Sequence, residues 1–274
     1  TLAGSFDGDL DAGVMSHEYT HGISNRLTGG PAASSCLSNV ESGGEGWSDY
    51  VGLMLTTDWS TAQLTDGTKR RPVGTYVFGG FGLRNYDYST DFNINRLTYD
   101  SMGNANIGVE VHNIGEIWCS ALWEMTWGII QQTGYINPNL YNASGTGGNS
   151  IALKLVIEGM KLQPCNPGFI SARDGILKAD TLLYNGANSC AIWSAFAKRG
   201  MGYGASQGSS NSGTDQTPSY ALPPAPSITV QPAPVSACAG NSALFYVTTT
   251  GVGASYNWQV STDGGNTWNS VNPA

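Results

Sequence analysis

Residues 16–30, SHEYTHGISNRLTGG, place His17 and His21 four positions apart with Glu18 beside the first, in a chain of 274 residues that contains three histidines. On a helix, positions i and i+4 share a face, so the two imidazoles project side by side at a spacing suited to two ligands of one ion. Glu18 falls on the flank of that face. A catalytic zinc ion takes three protein ligands and keeps one position open to water, while a nearby carboxylate serves as general base. The HExxH pattern supplies two ligands and the base within five residues. With so few histidines, chance matches to it number on the order of 0.001 for the whole chain, so coincidence is a poor explanation. One zinc ion per chain is the expected cofactor.

The third ligand must come from elsewhere, and residues 41–50, ESGGEGWSDY, offer Glu41 and Glu45. Glu45 is preferred because it opens a helix on which Asp49 sits one turn further along. From there a carboxylate accepts the spare ring N–H of a ligating histidine and fixes its tautomer. The third histidine, His112, lies in EVHNIGEIWCSALWEM at the start of another helix, where its side chain reaches past the packed stripe towards a cleft. As a donor it would stabilise negative charge building on a carbonyl oxygen under attack. Glu116, one turn later, or Glu110 would orient it.

The elements that must carry these residues are readable from periodicity. Over 11–27, Asp11 is an N-cap, Val14, Met15, Tyr19, Ile23 and Leu27 recur at helical spacings, and TGGP supplies the stop. A second helix over 45–57 carries Val51, Leu53, Met54 and Leu55. Residues 60–108, rich in Gly, Asn, Asp and Tyr, are expected to be long irregular surface with short strands. A broad apolar stripe of Ile114, Ile117, Trp118, Ala121, Leu122, Met125 and Ile129 predicts a strong helix over 111–132. Shorter helices are predicted over 150–162, 170–184 and 188–199, so residues 1–203 read as a mainly α lobe. Residues 204–227 have the Ser, Gly and Pro content of a linker or extended tail. Beyond, 228–274 alternates apolar and polar residues, with a hairpin signal at Asp263, Gly264 and Gly265. Three or four strands are predicted there, fewer than the roughly seven of an immunoglobulin-like sandwich, which makes it a partial all-β domain.

Composition excludes some functions. A hydrophobic content of 40% suffices for a core, and a net charge of −8 offers no basic surface to nucleic acid. No run of 18 apolar residues is present, so no membrane span is expected. The chain opens at Thr1 without a basic or apolar leader segment, as expected of a fragment or a processed chain. Five cysteines in a Gly-, Ser- and Asn-rich chain point to an oxidising, extracellular setting. Cys165 and Cys190 are the expected disulfide across a helical segment, and Cys238 is expected to have lost its partner.

The blocks GDLDAGVMSHEYTHGISNRLTGGPAASSCL, GGEGWSDYVGLMLT, NYDYSTDFNINRLTYDSM, VHNIGEIWCSALWEM, CNPGFISARDGILKAD and GANSCAIWSAFAKRGMGYGASQGSSNSGTDQ together resemble, in order, the fungalysin family of secreted zinc metalloendopeptidases, over about residues 7–216. The resemblance implies a thermolysin-like gluzincin fold, in which the HExxH helix floors the cleft and a mostly helical C-terminal subdomain follows. It implies that His17, His21 and Glu45 bind zinc, that Glu18 is base and proton shuttle, that Asp49 supports a ligand, and that His112 stabilises the transition state. Protein or peptide substrates and a zymogen precursor are implied as well. The β-rich lobe that precedes this helix in the family does not appear in the chain. Thermolysin's relatives use a tyrosine between the second histidine and the third ligand, and residues 22–44 contain none; Tyr86, Tyr88 or Tyr99 are the substitutes, with Arg84 as a clamp on a substrate carbonyl. No calcium site is predicted. The β segment resembles immunoglobulin-like modules appended to secreted bacterial hydrolases. The expectation is a secreted, monomeric zinc endopeptidase; its rivals are a non-catalytic binding or scaffold fragment retaining the zinc helix, and a zinc aminopeptidase on the same core.

Overall fold

The computed structural model describes residues 6–142, 144–251 and 256–271. Six helices carry the first unit: α1 Ala12–Leu27, α2 Gly44–Thr56, α3 Val111–Thr133, α4 Gly148–Leu162, α5 Phe169–Tyr184 and α6 Ser189–Lys198. Asp11 caps α1 by accepting from the Gly13 and Val14 amides. Glu110 caps α3 in the same way, accepting from His112 and Asn113, and Gly134 in the left-handed region ends it. These caps satisfy amides that a helix start leaves without partners.

Helix α3 is the centre. It packs against α2, α4 and α6, while α1 packs on α2 and α5 on α4. Every residue from Ile114 to Trp127 is buried, so the helix is enclosed all round, and Trp118 packs against Trp47, Phe169 and Phe196. The starts of α2 and α3 touch backbone to backbone. A Cβ on Gly115 would lie 2.3 Å from the Glu45 Cβ, and one on Gly46 would lie 2.5 Å from the Gly115 carbonyl. Only glycine permits this approach, which brings Glu45 beside the first turn of α3.

Residues 60–108 differ from the irregular surface the composition suggests. Two short 3-10 turns, Asp66–Thr68 and Tyr99–Ser101, and a bridge between Arg71 and Tyr88 are its regular structure. Val73, Tyr88, Leu97, Tyr99, Met102 and Ile107 nevertheless sit in the core. Their backbone is held by Arg199, wholly buried, which donates to the carbonyls of Ser89, Asn95 and Leu97 and to Glu124. One guanidinium thus supplies the donors that a sheet ladder would otherwise provide.

Two expectations need correction. Cys165 is bonded to Cys36, 129 residues away, and Cys190 is an exposed free thiol. Short sequence spacing held no information about a bridge that ties the turn after α1 to the turn before α5. The first unit also continues to Leu222 instead of ending at 203. Residues 204–222 close on themselves through a bridge of Ser206 with Thr217 and fold back on the lobe through a bridge of Met201 with Ser219 and a hydrogen bond from Gln216 to the Met102 carbonyl.

The second unit starts at Pro223. In it β1 Ser227–Val230 pairs antiparallel with β2 Thr248–Thr250, and β3 Gln259–Val260 with β4 Asn269–Ser270. None of its described residues is buried. Among the described residues of the chain, no helix is long and apolar enough to cross a membrane.

Glu41 links α2 to the remainder of the first unit. Fully buried, it accepts from the Phe169 amide at 2.9 Å and from the Tyr99 hydroxyl. Burial pushes its carboxyl up to about 7, against those hydrogen bonds and with help from the nearby Asp215 charge. The folded protein therefore keeps a proton that the unfolded chain releases near 4.5, so this group's contribution to stability falls as pH rises from about 4.5 to about 7. Glu41→Gln is expected to remove that slope and to be more stable than the parent above pH 7, by roughly 3 kcal/mol at most. Urea denaturation across pH 5–8 checks this, and an unchanged slope refutes it.

Candidate metal centre

The side chains of His17 and His21 leave α1 on one face, one turn apart. Their Nε2 atoms lie 3.1 Å apart, with the ring planes nearly perpendicular. Glu45, in the first turn of α2, brings Oε2 to 3.1 Å from His17 Nε2 and Oε1 to 3.4 Å from His21 Nε2. Ligand atoms of the three residues all fall within 4.8 Å of one another, the only such group of His, Cys, Asp or Glu among the described residues.

Two observations test whether this set fits zinc. Bonds of about 2.0–2.1 Å in a tetrahedron separate neighbouring ligand atoms by roughly 3.3–3.4 Å, close to the three separations found here. Glu45 Oε2, in addition, is buried without a hydrogen-bond partner. Two imidazole nitrogens and a carboxylate that converge on one point at these separations are a donor set that fits zinc.

Behind His17 stands Asp49, wholly inaccessible at its side chain. Its Oδ1 accepts from His17 Nδ1 at 2.8 Å and Arg84 Nη2 at 2.8 Å; its Oδ2 accepts from Arg84 Nε at 2.6 Å and from the Tyr88 hydroxyl. Burial alone would raise the Asp49 carboxyl, but Arg84 and His17 hold it well below the usual carboxylate range. Burial likewise pushes the His17 ring down, yet the neighbouring carboxylates of Asp49 and Glu45 outweigh it and lift the ring to about 9. His21 is lowered, by burial first. A proton and a metal ion therefore compete for the His17 face.

His112 stands on the rim. Its exposed ring places Nε2 3.5 Å from Glu45 Oε2, and Nδ1 lies 2.6 Å from Glu110 Oε1. Glu110, not Glu116, orients it. Glu116 is turned inward, accepting from the amides of Asn85 and Tyr86 and from the Asn85 side chain. Glu18 is exposed on the same helix as the two histidines.

A profile of the fungalysin metallopeptidases (M36) matches residues 3–205. The chain belongs to the fungalysin family. Similar curated proteins include an extracellular metalloproteinase of Aspergillus fumigatus, 47% identical over 220 residues, covering 78% of this chain and 34% of the relative. Extracellular metalloproteinase 1 of Trichophyton tonsurans is 44% identical over 224 residues, covering 77% of this chain and 33% of the relative. The chain spans about a third of the length of these relatives.

Fungalysins are zinc-dependent, and His17, His21 and Glu45 are the residues of this fungalysin chain that would hold the ion. Glu41, the other carboxylate considered for that place, is committed to Tyr99 and Phe169. Of the three tyrosines considered, Tyr88 and Tyr99 are buried with their hydroxyls bound to carboxylates, whereas Tyr86 is half-buried. Sequence reasoning missed Tyr88 as a partner of Asp49 and Glu116 as an anchor of the segment around Asn85. Neither leaves a local signature, because each acts across more than 25 residues. Metal analysis by mass spectrometry is expected to find about one zinc per chain, as befits a single three-ligand site. Glu45→Ala should lose it in chelator competition while Glu41→Gln keeps it; the reverse pattern overturns the ligand assignment.

Proposed function

We propose that this fungalysin chain is part of a secreted zinc endopeptidase acting on proteins or peptides. The observation that carries this reading is the convergence of His17, His21 and Glu45 on one point, with Glu18 and His112 exposed beside it. When bound there, zinc supplies Lewis acidity to water and to the substrate carbonyl. Glu18 has the protein's part in moving protons: its carboxylate takes one from the attacking water and delivers it to the leaving amine nitrogen. Glu110 fixes His112 through Nδ1, so an imidazolium at this place donates from Nε2 to the oxygen that gains charge. Asp49 keeps His17 in the tautomer whose Nε2 faces the centre. Arg84 commits Nε and Nη2 to Asp49, leaving Nη1 for a substrate carbonyl, and Tyr86 is the tyrosine left to assist.

Secretion is supported by the extracellular relatives and by the Cys36–Cys165 disulfide. We read the first unit as the C-terminal subdomain of a thermolysin-like fold and as a monomer. The second unit we read as part of an immunoglobulin-like module, on the strength of its two antiparallel strand pairs and of the turn in which Asp263 accepts from Thr267 N and Ser261 Oγ.

Glu18→Gln, made in the longest form of the enzyme, is expected to keep its zinc and to cleave a quenched fluorescent peptide at least 100-fold more slowly. Unchanged cleavage removes Glu18 from the mechanism. Blocking the peptide's amino terminus separates the aminopeptidase rival, since an endopeptidase still cuts the blocked substrate.

A further inference from the structure

The segment from Arg84 to Tyr88 reaches the metal centre chiefly through Asp49, with Arg84 Nη2 also 3.7 Å from Glu45 Oε2, and its own fixation comes from α3. Glu116 accepts the Tyr86 amide at 2.7 Å and the Asn85 amide at 3.0 Å, which pins the backbone between the two side chains that grip Asp49. Arg84 closes a two-pronged contact on that carboxylate, and the Tyr88 hydroxyl reaches the same Oδ2 from the core, with the buried Cys119 thiol against it. Tyr88 is wholly buried, hydrogen-bonds neither His17 nor Glu45, and uses its only polar side-chain atom on Asp49.

We propose that Tyr88 is a positioning residue of the metal centre, and that together with the Glu116 anchor it sets the orientation in which Asp49 presents His17 to the ion. The inference rests on His17, His21 and Glu45 being the ligands. Its physical basis is that a carboxylate in a single plane can hold the His17 ring rigidly only while rotation about its own bond is prevented. Arg84 grips both Asp49 oxygens from one side, Nε on Oδ2 and Nη2 on Oδ1, and so holds the carboxylate only as firmly as the Glu116 anchor holds the backbone that follows it. The phenol is wholly buried and holds Oδ2 a second time, from the core side, where the guanidinium does not reach. Without it Asp49 turns towards the guanidinium, and the His17 ring follows out of line with His21 and Glu45. Partners of this kind change metal affinity by roughly 10- to 100-fold when removed.

The test compares Tyr88→Phe with Tyr99→Phe, which deletes an equally buried phenol-to-carboxylate bond, to Glu41, away from the centre. Zinc affinity is read by chelator competition, and cobalt(II) is added to the metal-free proteins for its visible absorption spectrum. Tyr88→Phe is expected to bind zinc at least tenfold more weakly and to alter the cobalt spectrum, whereas Tyr99→Phe keeps both within twofold of the parent. If Tyr88→Phe binds zinc within twofold of the parent, or Tyr99→Phe loses as much affinity, the proposal is overturned. If Tyr88→Phe does not fold, Glu116→Gln decides the matter by the same thresholds. A parent that binds no zinc at all would instead overturn the ligand assignment.

Discussion

A carboxylate sealed from solvent stays charged only if donors surround it, and Asp49 has four: one from His17, two from Arg84 and one from Tyr88. Removing any of them leaves a buried charge short of a partner, which is among the more expensive defects a core can carry. That requirement binds three separated stretches of chain, α1 by His17, α2 by Asp49 itself and the loop before α3 by Arg84 and Tyr88. The same contact fixes the His17 tautomer, so the ligand geometry and the packing of the lobe are one constraint. The close crossing of α2 and α3 at Gly46 and Gly115 supplies the complement, placing Glu45 where His17 and His21 already point.

What was legible in the sequence follows from this arrangement. The pair His17 and His21 is a local pattern on one helix face, and Glu45 with Asp49 is a second, so each could be read from a few residues at a time. Joining them required only that the two helices be neighbours. The remainder was not legible, because it depends on contacts between segments far apart. Tyr88 lies 39 residues from Asp49, and Glu116 lies 31 from Asn85. The Cys36–Cys165 bridge closes 129 residues. Residues 204–222 mislead for another reason: they return to the lobe through hydrogen bonds from Gln216 and between backbone strands, so a composition poor in apolar residues looks like a linker. Period and hydropathy report burial of apolar faces, and here the docking is polar.

The pocketing of charge also separates two kinds of work. His17, His21, Glu45 and Asp49 are buried or half-buried and held by short contacts, whereas Glu18 and the His112 ring, to which the proposed mechanism gives the proton transfer and the contact with substrate, are exposed. A ligand set gains from rigidity, because misplacement by a fraction of an ångström weakens every bond to the ion at once. An acid–base group gains from access and from room to move between two positions during one turnover. In the proposed mechanism Glu18 on the same helix as the two imidazoles reconciles these demands: the helix backbone fixes its distance from them to within a rotamer, and its carboxylate keeps the freedom that His17, gripped by Asp49, has lost.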